Sequence, residues 1–460
     1  MINHKATTVI RLTKVLHYLL TAFLFAASCR IFYWNSCFEG TLTLHFGTIL
    51  FIYCIILLFT LRAYSAYNVG SASVRVVILS QTLANLISIC IMYLLLLIDR
   101  REWVNPLPML AAIAAQLVLN CVWTCCISAL YLHLCKSKKT VLIYRNEKDR
   151  QRLSEVNELT RQFEITKEVK NPPNDIHYLI DELTGAEAVF VSGVNAALRN
   201  GILKYCVEHD IRCYVIPHVG DVIMMGAEHT ELFSAPIFCI RRATMDWEQA
   251  IIKRLMDIAL SAIAIIVLSP LMLLTALAIK LYDKGPAFYK QVRLTKGGKA
   301  FKILKFRSMC VNAEQDGIAR LAAKNDSRIT PVGKVIRACR LDELPQLFNI
   351  LRGDMSIVGP RPERPEIAKQ YEETIPAFSL RLQVKAGLTG LAQVYGRYNT
   401  DPTDKLKMDL MYINQMSVMQ DLRLMFATVK VLFMKESTSG IAEGQTTAAA
   451  AEAEEECVSK

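Results

Sequence analysis

The second half of this 460-residue sequence contains no histidine, because all eight histidines lie before residue 230. An active site in that half therefore cannot use imidazole as its base or its nucleophile. Two other patterns are missing from the whole chain. The absence of Asp-x-Asp disfavours a sugar-nucleotide enzyme that holds its metal through that motif. The absence of Cys-x-x-Cys disfavours disulfides and zinc ligands as roles for the cysteines.

The 14 cysteines are interpreted as reduced, buried, small apolar residues, since most of them lie inside hydrophobic runs. Cys310 and Cys339 lie in the later part of the chain, but neither has a histidine partner that would favour the thiolate. No nucleic-acid-binding pattern occurs either. The net charge of +11 is therefore assigned to contact with anionic lipid headgroups or a phosphorylated substrate.

Long apolar runs occupy the first third of the chain, at residues 16–34, 42–61, 74–98 and 109–134. Each is close to the roughly 20 residues that a helix needs to cross a bilayer. We predict a four-helix transmembrane bundle over residues 1–138. Basic residues cluster before the first run and after the fourth, which places both ends of the bundle in the cytoplasm. The runs carry no central ionisable residue, so an anchor is favoured over a transport path.

Residues 139–245 have the pattern of a soluble α/β domain. Buried strands are predicted at 140–144, 188–192 and 213–217, with a helix between the second and third. This alternation indicates a Rossmann-like parallel sheet. The turn after the first strand lacks Gly-x-Gly-x-x-Gly, so the backbone cannot approach a pyrophosphate closely. We therefore interpret the domain as a structural or regulatory accessory.

A fifth apolar run, residues 258–279, has basic residues at both ends and a serine–proline pair at its centre. Proline removes a helix hydrogen bond and bends the axis, and two basic ends favour the same face of the membrane. We predict a re-entrant helix over 254–280 that enters one leaflet and returns. An ordinary proline-kinked crossing is the alternative. The residues assigned to this membrane hairpin are Lys253, Arg254, Ser269 and Pro270.

Residues 250–435 form a basic, mixed domain whose most informative stretch is Arg340-Leu-Asp-Glu-Leu-Pro-Gln346. Two adjacent carboxylates between arginines suit phosphoryl chemistry. A carboxylate can attack phosphorus or hold a divalent cation, and guanidinium groups bind phosphate oxygens. Asp342 at a helix N-cap, with Glu343 and Pro345 in the first turn, would equally be an ordinary helix start. Both interpretations stay open at this point.

Three other segments of this domain are unusual. Basic and apolar residues alternate over 285–293 and 301–309, as they also would in a half-buried strand at an interface, and a glycine- and proline-rich string covers 353–363. Residues 406–433 place apolar side chains at helical spacing, which fits helices on a membrane surface or in a core. The final residues, 436–460, are predicted to be a disordered acidic tail.

With these strings in this order, the chain resembles the bacterial sugar transferase family over about residues 251–434. These are monotopic polyprenyl-phosphate phosphoglycosyl transferases. The bundle and the Rossmann-like module resemble those of the large members, such as undecaprenyl-phosphate glucose or galactose phosphotransferases. The resemblance implies a membrane protein of α plus α/β class. It also implies a location in the bacterial inner membrane, with a small α/β catalytic domain on the cytoplasmic face.

The resemblance also implies a reaction. Sugar-1-phosphate would pass from a UDP-sugar to undecaprenyl phosphate with release of UMP, which starts O-antigen, capsule or exopolysaccharide synthesis. Asp342 matches the catalytic nucleophile, and Glu343 would help bind Mg²⁺ or assist with protons, so both are assigned as metal ligands. The residues assigned to substrate binding are Lys305, Arg307, Arg337, Arg340, Gln346 and Arg361. The sequence does not indicate which sugar is transferred, and it leaves a homodimer open.

Two other functions remain as alternatives. A membrane glycosyltransferase would release UDP and join sugar to lipid through one phosphate, but it would need an inverting base and usually Asp-x-Asp. A membrane sensor or assembly protein would leave the basic strings around Asp342 without an explanation.

Overall fold

The computed structural model describes residues 4–33, 43–70, 72–134, 137–147, 149–151, 162–232, 235–311, 326, 328–396 and 401–433. The predicted acidic tail at 436–460 lies outside these residues. The chain divides into two compact units, Met1–Pro217 and His218–Lys460.

Four long helices open the first unit. They are α1 (His4–Phe32), α2 (Thr43–Ala63), α3 (Val74–Arg100) and α4 (Leu107–Leu134). Each contains a stretch long and apolar enough to cross a membrane, which indicates a membrane protein. Helix α1 packs against α4, α4 against α3, and α3 against α2. The predicted apolar runs are confirmed as helices. Helix α1 begins at His4 rather than at residue 16, because an established helix continues through polar residues at little cost.

Polar side chains buried among these helices bind one another. The fully buried His17 places its ring nitrogens 3.0 Å from the Tyr67 hydroxyl and 3.1 Å from Asn120 Oδ1. Gln116 donates to the Tyr53 hydroxyl at 3.0 Å. Hydrogen bonds of this kind join helices where water is excluded. The sequence prediction gave no weight to His17, which lies at the start of the first apolar run.

The rest of the first unit is a parallel sheet with the order β2-β1-β3-β4. Its elements are β1 (Lys138–Tyr144), β2 (Phe163–Lys170), α5 (His177–Leu183), β3 (Ala188–Val191), α6 (Ala196–Glu208) and β4 (Arg212–Val215). Buried residues of β1, β3 and α6 form its core, among them Ile143, Val189 and Ile202. The predicted parallel α/β module is confirmed. Strand β2 was not predicted, because it is a largely exposed edge strand whose charged residues mask the pattern.

In its described residues, the second unit combines helices with three two-stranded sheets. Its elements are α7 (Val219–Met224), β5 (Glu228–Leu232), β6 (Ala235–Cys239), α8 (Trp247–Asp283), β7 (Phe288–Leu294), β8 (Ala300–Phe306), α9 (Pro331–Ala338), α10 (Gln346–Arg352), β9 (Ser356–Val358), α11 (Pro365–Thr374), β10 (Gly387–Thr389), α12 (Leu391–Tyr395), α13 (Pro402–Asn414) and α14 (Val418–Leu432). Strands β5–β6 and β7–β8 pair antiparallel, and β9–β10 pair parallel. The two alternating segments of the sequence are thus the strands of the β7–β8 hairpin.

Helix α7 belongs to the second unit. Val222 is buried in the same core as Leu406 and Ile413, and Asn414 Nδ2 donates to the Val222 carbonyl at 2.6 Å. The sequence prediction extended the Rossmann-like domain to residue 245. Those bounds place residues 219–224 in the accessory domain, and the structure shows that they pack against residues almost 200 positions later.

The helical spacing over 406–433 belongs to two helices with different environments. Helix α13 is a core helix, since Leu406, Leu410 and Ile413 are almost completely buried. Helix α14 buries Leu424 but leaves Met419 about half exposed. The core interpretation is therefore correct for α13.

Helix α8 runs through the predicted break without interruption. Pro270 has no N–H to donate to the carbonyl of Ile266, and the Ser269 hydroxyl donates to that carbonyl instead, at 2.8 Å. One face of the helix packs on the unit, where Ala264 and Met272 contact two neighbouring hydrophobic clusters. The other face is apolar and exposed along its length, through residues such as Ile251, Ile263, Ile266, Val267, Leu273 and Leu277.

Candidate active site

Three segments of the second unit bring predicted site residues together. Lys305 comes from β8, Glu343 from a single 3-10 turn (Leu341–Glu343), and Arg361 from the loop after β9. Glu343 Oε1 accepts a hydrogen bond from Lys305 Nζ at 3.4 Å and from Arg361 Nη2 at 3.1 Å. Residues 18 and 38 positions away from Glu343 thus bind the same carboxylate oxygen.

Asp342 differs from its neighbour. Within the part of the chain that the structure describes, its carboxylate forms no hydrogen bond or ion pair. Burial raises the pKa of Asp342, and the charge of Glu343 raises it further, while Lys305, Arg337 and Arg340 oppose both effects. A half-buried carboxylate without a bonded partner, close to three cations, is suited to react with or bind an incoming electrophilic group.

Glu343 is held as an ion. Burial alone would raise its pKa, but the charges of Arg361, Lys305 and Arg340 outweigh burial and hold the pKa well below the ordinary glutamate range. Burial lowers the pKa of Lys305, and Glu343 opposes that change. The two adjacent acids therefore have different environments. Glu343 is ion-paired with Lys305 and Arg361, whereas the carboxylate of Asp342 has no bonded partner among the described residues.

The backbone explains how the acids are presented. Leu341 and Leu344 pack against the cluster around Phe306, so the residues between them are directed away from that core. Arg340, just before the turn, has φ of 57°, in the left-handed region that costs a non-glycine residue about 1 kcal/mol. Such strain persists where surrounding packing fixes it, and it occurs often at functional sites.

The helix-start interpretation of Asp342 is wrong. Helix α10 begins at Gln346, and the residue at its N-cap is Pro345. The residue that precedes the 3-10 turn is Arg340, and none of the side chains at these two starts forms a capping hydrogen bond. A one-turn 3-10 segment separates Asp342 from the helix that the sequence pattern predicted it would cap.

The loop that carries Arg361 is fixed through its backbone. Gly359 N–H donates to the Thr389 carbonyl at 2.8 Å, and Gly387 N–H donates to the Pro360 carbonyl at 2.9 Å. A Cβ on Gly359 would lie 2.4 Å from the carbonyl oxygen of Lys385, so only glycine allows this approach. The geometry of the turn therefore depends on two backbone segments in direct contact.

A buried charge network supports the same loop. Arg381 Nη2 donates to the carbonyl of Arg361 at 2.9 Å, and the guanidinium binds Asp409 with two nitrogens, at 2.9 and 2.7 Å. Arg381 Nη1 also lies 3.6 Å from Glu363 Oε1. Burial raises the pKa of Asp409 to about 6, although Arg381 opposes the shift. Sequence analysis missed Arg381 and Asp409, because neither lies in one of the informative strings.

Two predicted substrate-binding residues, Arg307 and Gln346, do not share the contacts that Lys305 and Arg361 make with Glu343. Arg307 is buried, forms an ion pair with Asp283 at the end of α8, and lies so close to Gly285 that a Cβ there would meet its Nη1 at 2.1 Å. Gln346 is buried in the first turn of α10. Arg337 contributes charge to Asp342 without a bonded partner among the described residues. The substrate-binding roles of Arg307 and Gln346 stay predictions.

The first turns of α8 hold the strand next to the site. Lys253 donates to the Val358 carbonyl at 3.1 Å and forms an ion pair with the buried Asp421. Asp257 accepts from the Ile357 N–H at 3.0 Å. Arg254 donates to two carbonyls at the end of α10, at 2.7 and 2.8 Å. These residues at the start of α8 therefore fix the apolar helix to α10 and β9, the elements that follow the Asp342 turn and precede the Arg361 loop.

The donor atoms fit a hard divalent cation. The described residues contain no cluster of three or more histidine, cysteine or acidic side chains. Mg²⁺ in phosphate-binding sites commonly takes only one or two carboxylates and completes its shell with substrate oxygens and water. The adjacent carboxylates of Asp342 and Glu343 match that smaller requirement.

The family model of the bacterial sugar transferases matches residues 248–435. A UDP-N-acetylgalactosamine-undecaprenyl-phosphate N-acetylgalactosaminephosphotransferase from Aeromonas hydrophila is 47% identical over 186 residues, which is 40% of this chain and 44% of that protein. A UDP-glucose:undecaprenyl-phosphate glucose-1-phosphate transferase from Klebsiella pneumoniae is 40% identical over 235 residues, or 50% of each chain. The chain thus spans about half the length of these relatives.

A shorter relative is covered more fully. A UDP-glucose:undecaprenyl-phosphate glucose-1-phosphate transferase from Caulobacter vibrioides is 42% identical over 190 residues, which is 40% of this chain and 71% of that protein. The family match includes every residue of the site built here, from Lys253 to Asp421. The chain belongs to the bacterial sugar transferase family.

Proposed function

We propose that the protein transfers sugar-1-phosphate from a UDP-sugar to undecaprenyl phosphate and releases UMP. The observation that carries this proposal is the contrast between two adjacent acids. Glu343 is bound by Lys305 and Arg361, whereas Asp342 forms no bond within the described chain. The activities named for the relatives from Aeromonas and Klebsiella support the same reaction class.

In the first step, a carboxylate oxygen of Asp342 attacks the β-phosphorus of the UDP-sugar. The bond from that phosphorus to the bridging oxygen breaks, and UMP leaves with the electron pair. The sugar phosphate is then held as an acyl phosphate on Asp342. Arg361, Lys305 and Arg337 are close enough to Asp342 or Glu343 to neutralise the phosphate oxygens in this step.

In the second step, a phosphate oxygen of undecaprenyl phosphate attacks the same phosphorus. The acyl phosphate bond breaks, the carboxylate of Asp342 is restored, and the product is undecaprenyl-diphosphate-sugar. Mg²⁺ held by Asp342 and Glu343 would supply charge neutralisation on the diphosphate. Glu343 keeps the cations in place through both steps, because its ionised form is strongly favoured.

The nucleotide released tests the reaction class. Membranes that contain the protein are incubated with undecaprenyl phosphate and a panel of UDP-sugars labelled in the uridine. We expect UMP to form in equal amount to the lipid-linked sugar. UDP as the product would instead establish the single-phosphate glycosyltransferase, and no nucleotide release with any sugar would support the sensor. The relatives named above act on different sugars, so the panel also identifies the donor.

We also propose that α8 is re-entrant and that the active site lies at the cytoplasmic face of the inner membrane. Both halves of α8 pack against the same unit, through Lys253 and Asp257 in one half and Met272 and Ile279 in the other. This placement supports a segment whose two ends reach one face. The site would then reach a soluble nucleotide and a lipid phosphate together.

Replacing Ser269 and Pro270 together by alanine is expected to shift part of the population to a full crossing, because alanine restores the missing helix hydrogen bond. The exposed Cys310 and Cys339 report the outcome. A membrane-impermeant maleimide added to intact spheroplasts should not modify them in the unaltered protein but should modify them in the double variant. Mass spectrometry of the two peptides measures the modification.

The Ser269→Ala variant is the control, since it keeps the proline, and Cys239 before α8 is the internal reference. Modification of Cys310 in the unaltered protein, equal in intact and permeabilised cells, would contradict the re-entrant arrangement.

A further inference from the structure

Two cationic side chains converge at the C-terminal end of α10, at the end farthest from Asp342. Gly353, just after α10, has φ of 96°. A Cβ at Gly353 would lie 3.3 Å from Arg254 Nη2 and 3.7 Å from Lys385 Nζ. One cation comes from α8 and the other from the segment before β10, so the tertiary structure alone brings them together.

The orientation of Arg254 is fixed. Its two terminal nitrogens donate to the carbonyls of Ile350 and Leu351, which are among the last carbonyls of α10. Carbonyl oxygens orient a guanidinium group without cancelling its charge. The charge of Arg254 is therefore held beside Gly353.

A third cation lies nearby. Lys296 is exposed and follows Thr295, whose hydroxyl accepts a hydrogen bond from the Ala386 N–H at 3.1 Å, so the segment that carries Lys296 lies beside the one that carries Lys385. Its charge acts on Lys385. Partial burial lowers the pKa of Lys385, Arg254 and Lys296 lower it further, and Asp257 and Asp354 oppose the shift. Among the described residues, neither lysine nor Arg254 forms an ion pair with an acid.

The nearby acids have other partners. Asp257 accepts from the Ile357 N–H at 3.0 Å, and Asp354 accepts from Asn349 Nδ2 at 3.4 Å. At least one carboxylate oxygen of each acid is therefore hydrogen-bonded within the protein. Lys296 and Lys385 are exposed, so their ammonium groups can meet an external anion.

The position of this cluster indicates which anion it meets. Ile251, Ile252 and Leu255, next to Arg254 on α8, expose more than half of their surface. The long apolar run of α8 follows directly. A cation at the start of an exposed apolar helix lies at headgroup depth when that helix is in a bilayer.

The cluster is separate from the reacting phosphates. Helix α10 has seven residues and is about 10 Å long, with the Asp342 turn before its first residue and Gly353 after its last. An anion beside Gly353 would thus be spectator lipid rather than substrate.

We propose that Arg254, Lys296 and Lys385 form a binding site for the headgroup phosphate of an anionic phospholipid of the bilayer. The site orients the second unit on the membrane surface, because it ties the end of α10 and the start of α8 to the same headgroup layer. The proposal requires α8 to lie in the membrane but does not depend on the reaction proposed for Asp342.

The test uses the full-length protein in nanodiscs of phosphatidylcholine with 30% phosphatidylglycerol, a small part of which carries a photoactivatable group near the headgroup. Peptides that contain Lys296 or Lys385 are expected to be cross-linked far more by photoactivatable phosphatidylglycerol than by the matching phosphatidylcholine. The Lys296→Gln/Lys385→Gln variant should lower this preference on the order of tenfold, since each cation near an anionic surface contributes to lipid attraction.

The matched control is Lys204→Gln/Lys369→Gln, which removes the same charge from two exposed lysines outside the cluster. This control should keep the preference for cross-linking by phosphatidylglycerol. Asp342→Asn should keep it too, and that result separates the lipid site from the catalytic proposal. Equal cross-linking by the two lipids, or an equal loss in the control, would overturn the site. Competition by micromolar undecaprenyl phosphate would also overturn it, because the phosphate would then belong to a substrate lipid.

Discussion

Replacing Asp342 by asparagine is expected to lower the rate of UMP release by about 10⁴-fold or more, with the protein still folded and in the membrane. The amide is nearly the same size as the carboxylate, and Asp342 holds no partner that the change would orphan within the described residues. The measurement is UMP formed per enzyme, together with the melting temperature in detergent. Asp246→Asn, an exposed acid before α8, is the matched control.

The same reaction should leave a covalent trace. When undecaprenyl phosphate is omitted, a UDP-sugar labelled in its sugar is expected to label the unaltered protein, and a tryptic peptide that contains Asp342 should carry the mass of the sugar phosphate. Glu343→Gln should still form the adduct, but more slowly, because it keeps the nucleophile and weakens the hold on Lys305 and Arg361. Full turnover by Asp342→Asn, or an adduct only on another residue, would refute Asp342 as the nucleophile.

The pH dependence follows from the environment of Asp342. The attack requires the ionised carboxylate, and burial and Glu343 raise the pKa of Asp342 above its ordinary value of about 4. Activity should therefore fall on acidification at a pH higher than a solvent-exposed aspartate would give. A profile of kcat/KM against pH measures this limb, and Glu343→Gln should move it toward lower pH, because a neighbouring negative charge is removed.

Replacing Arg381 by methionine is expected to destabilise the protein by about 3–5 kcal/mol, because it leaves the carboxylate of Asp409 buried without its cation. Turnover should also fall, since the carbonyl of Arg361 loses its donor and the loop is no longer fixed. The melting temperature and the initial rate of UMP release measure the two effects. Arg423→Met, an exposed arginine on α14, should change neither.

Adding Asp409→Leu to Arg381→Met separates the effect on stability from the effect on the position of Arg361. In Arg381→Met/Asp409→Leu the buried carboxylate is gone as well, so most of the stability should return. The rate should stay low, because no side chain at 381 can then donate to the Arg361 carbonyl. A double variant with the activity of the unaltered protein would show that Arg381 stabilises the fold without positioning Arg361.

The sequence predicted those features that depend on neighbouring residues. Long apolar runs identify α1 to α4 and α8, because hydrophobic length is a local property. The buried strands at 140–144 and 188–192 were found for the same reason, and the exposed edge strand β2 was missed because its side chains face water. The string around Asp342, together with the absence of histidine after residue 230, was enough to select carboxylate chemistry.

Only the tertiary structure decided how the two acids differ. Asp342 and Glu343 are adjacent and alike in the sequence, and the pattern around them equally predicted a helix cap. Glu343 becomes the paired acid because strand β8 supplies Lys305 and the loop after β9 supplies Arg361. Ion pairs depend on distances of a few ångströms between segments far apart in the chain, and these distances are set by packing of the whole unit. The same physics placed Arg307 against Asp283 and Arg381 against Asp409, where spacing along the sequence carries no information.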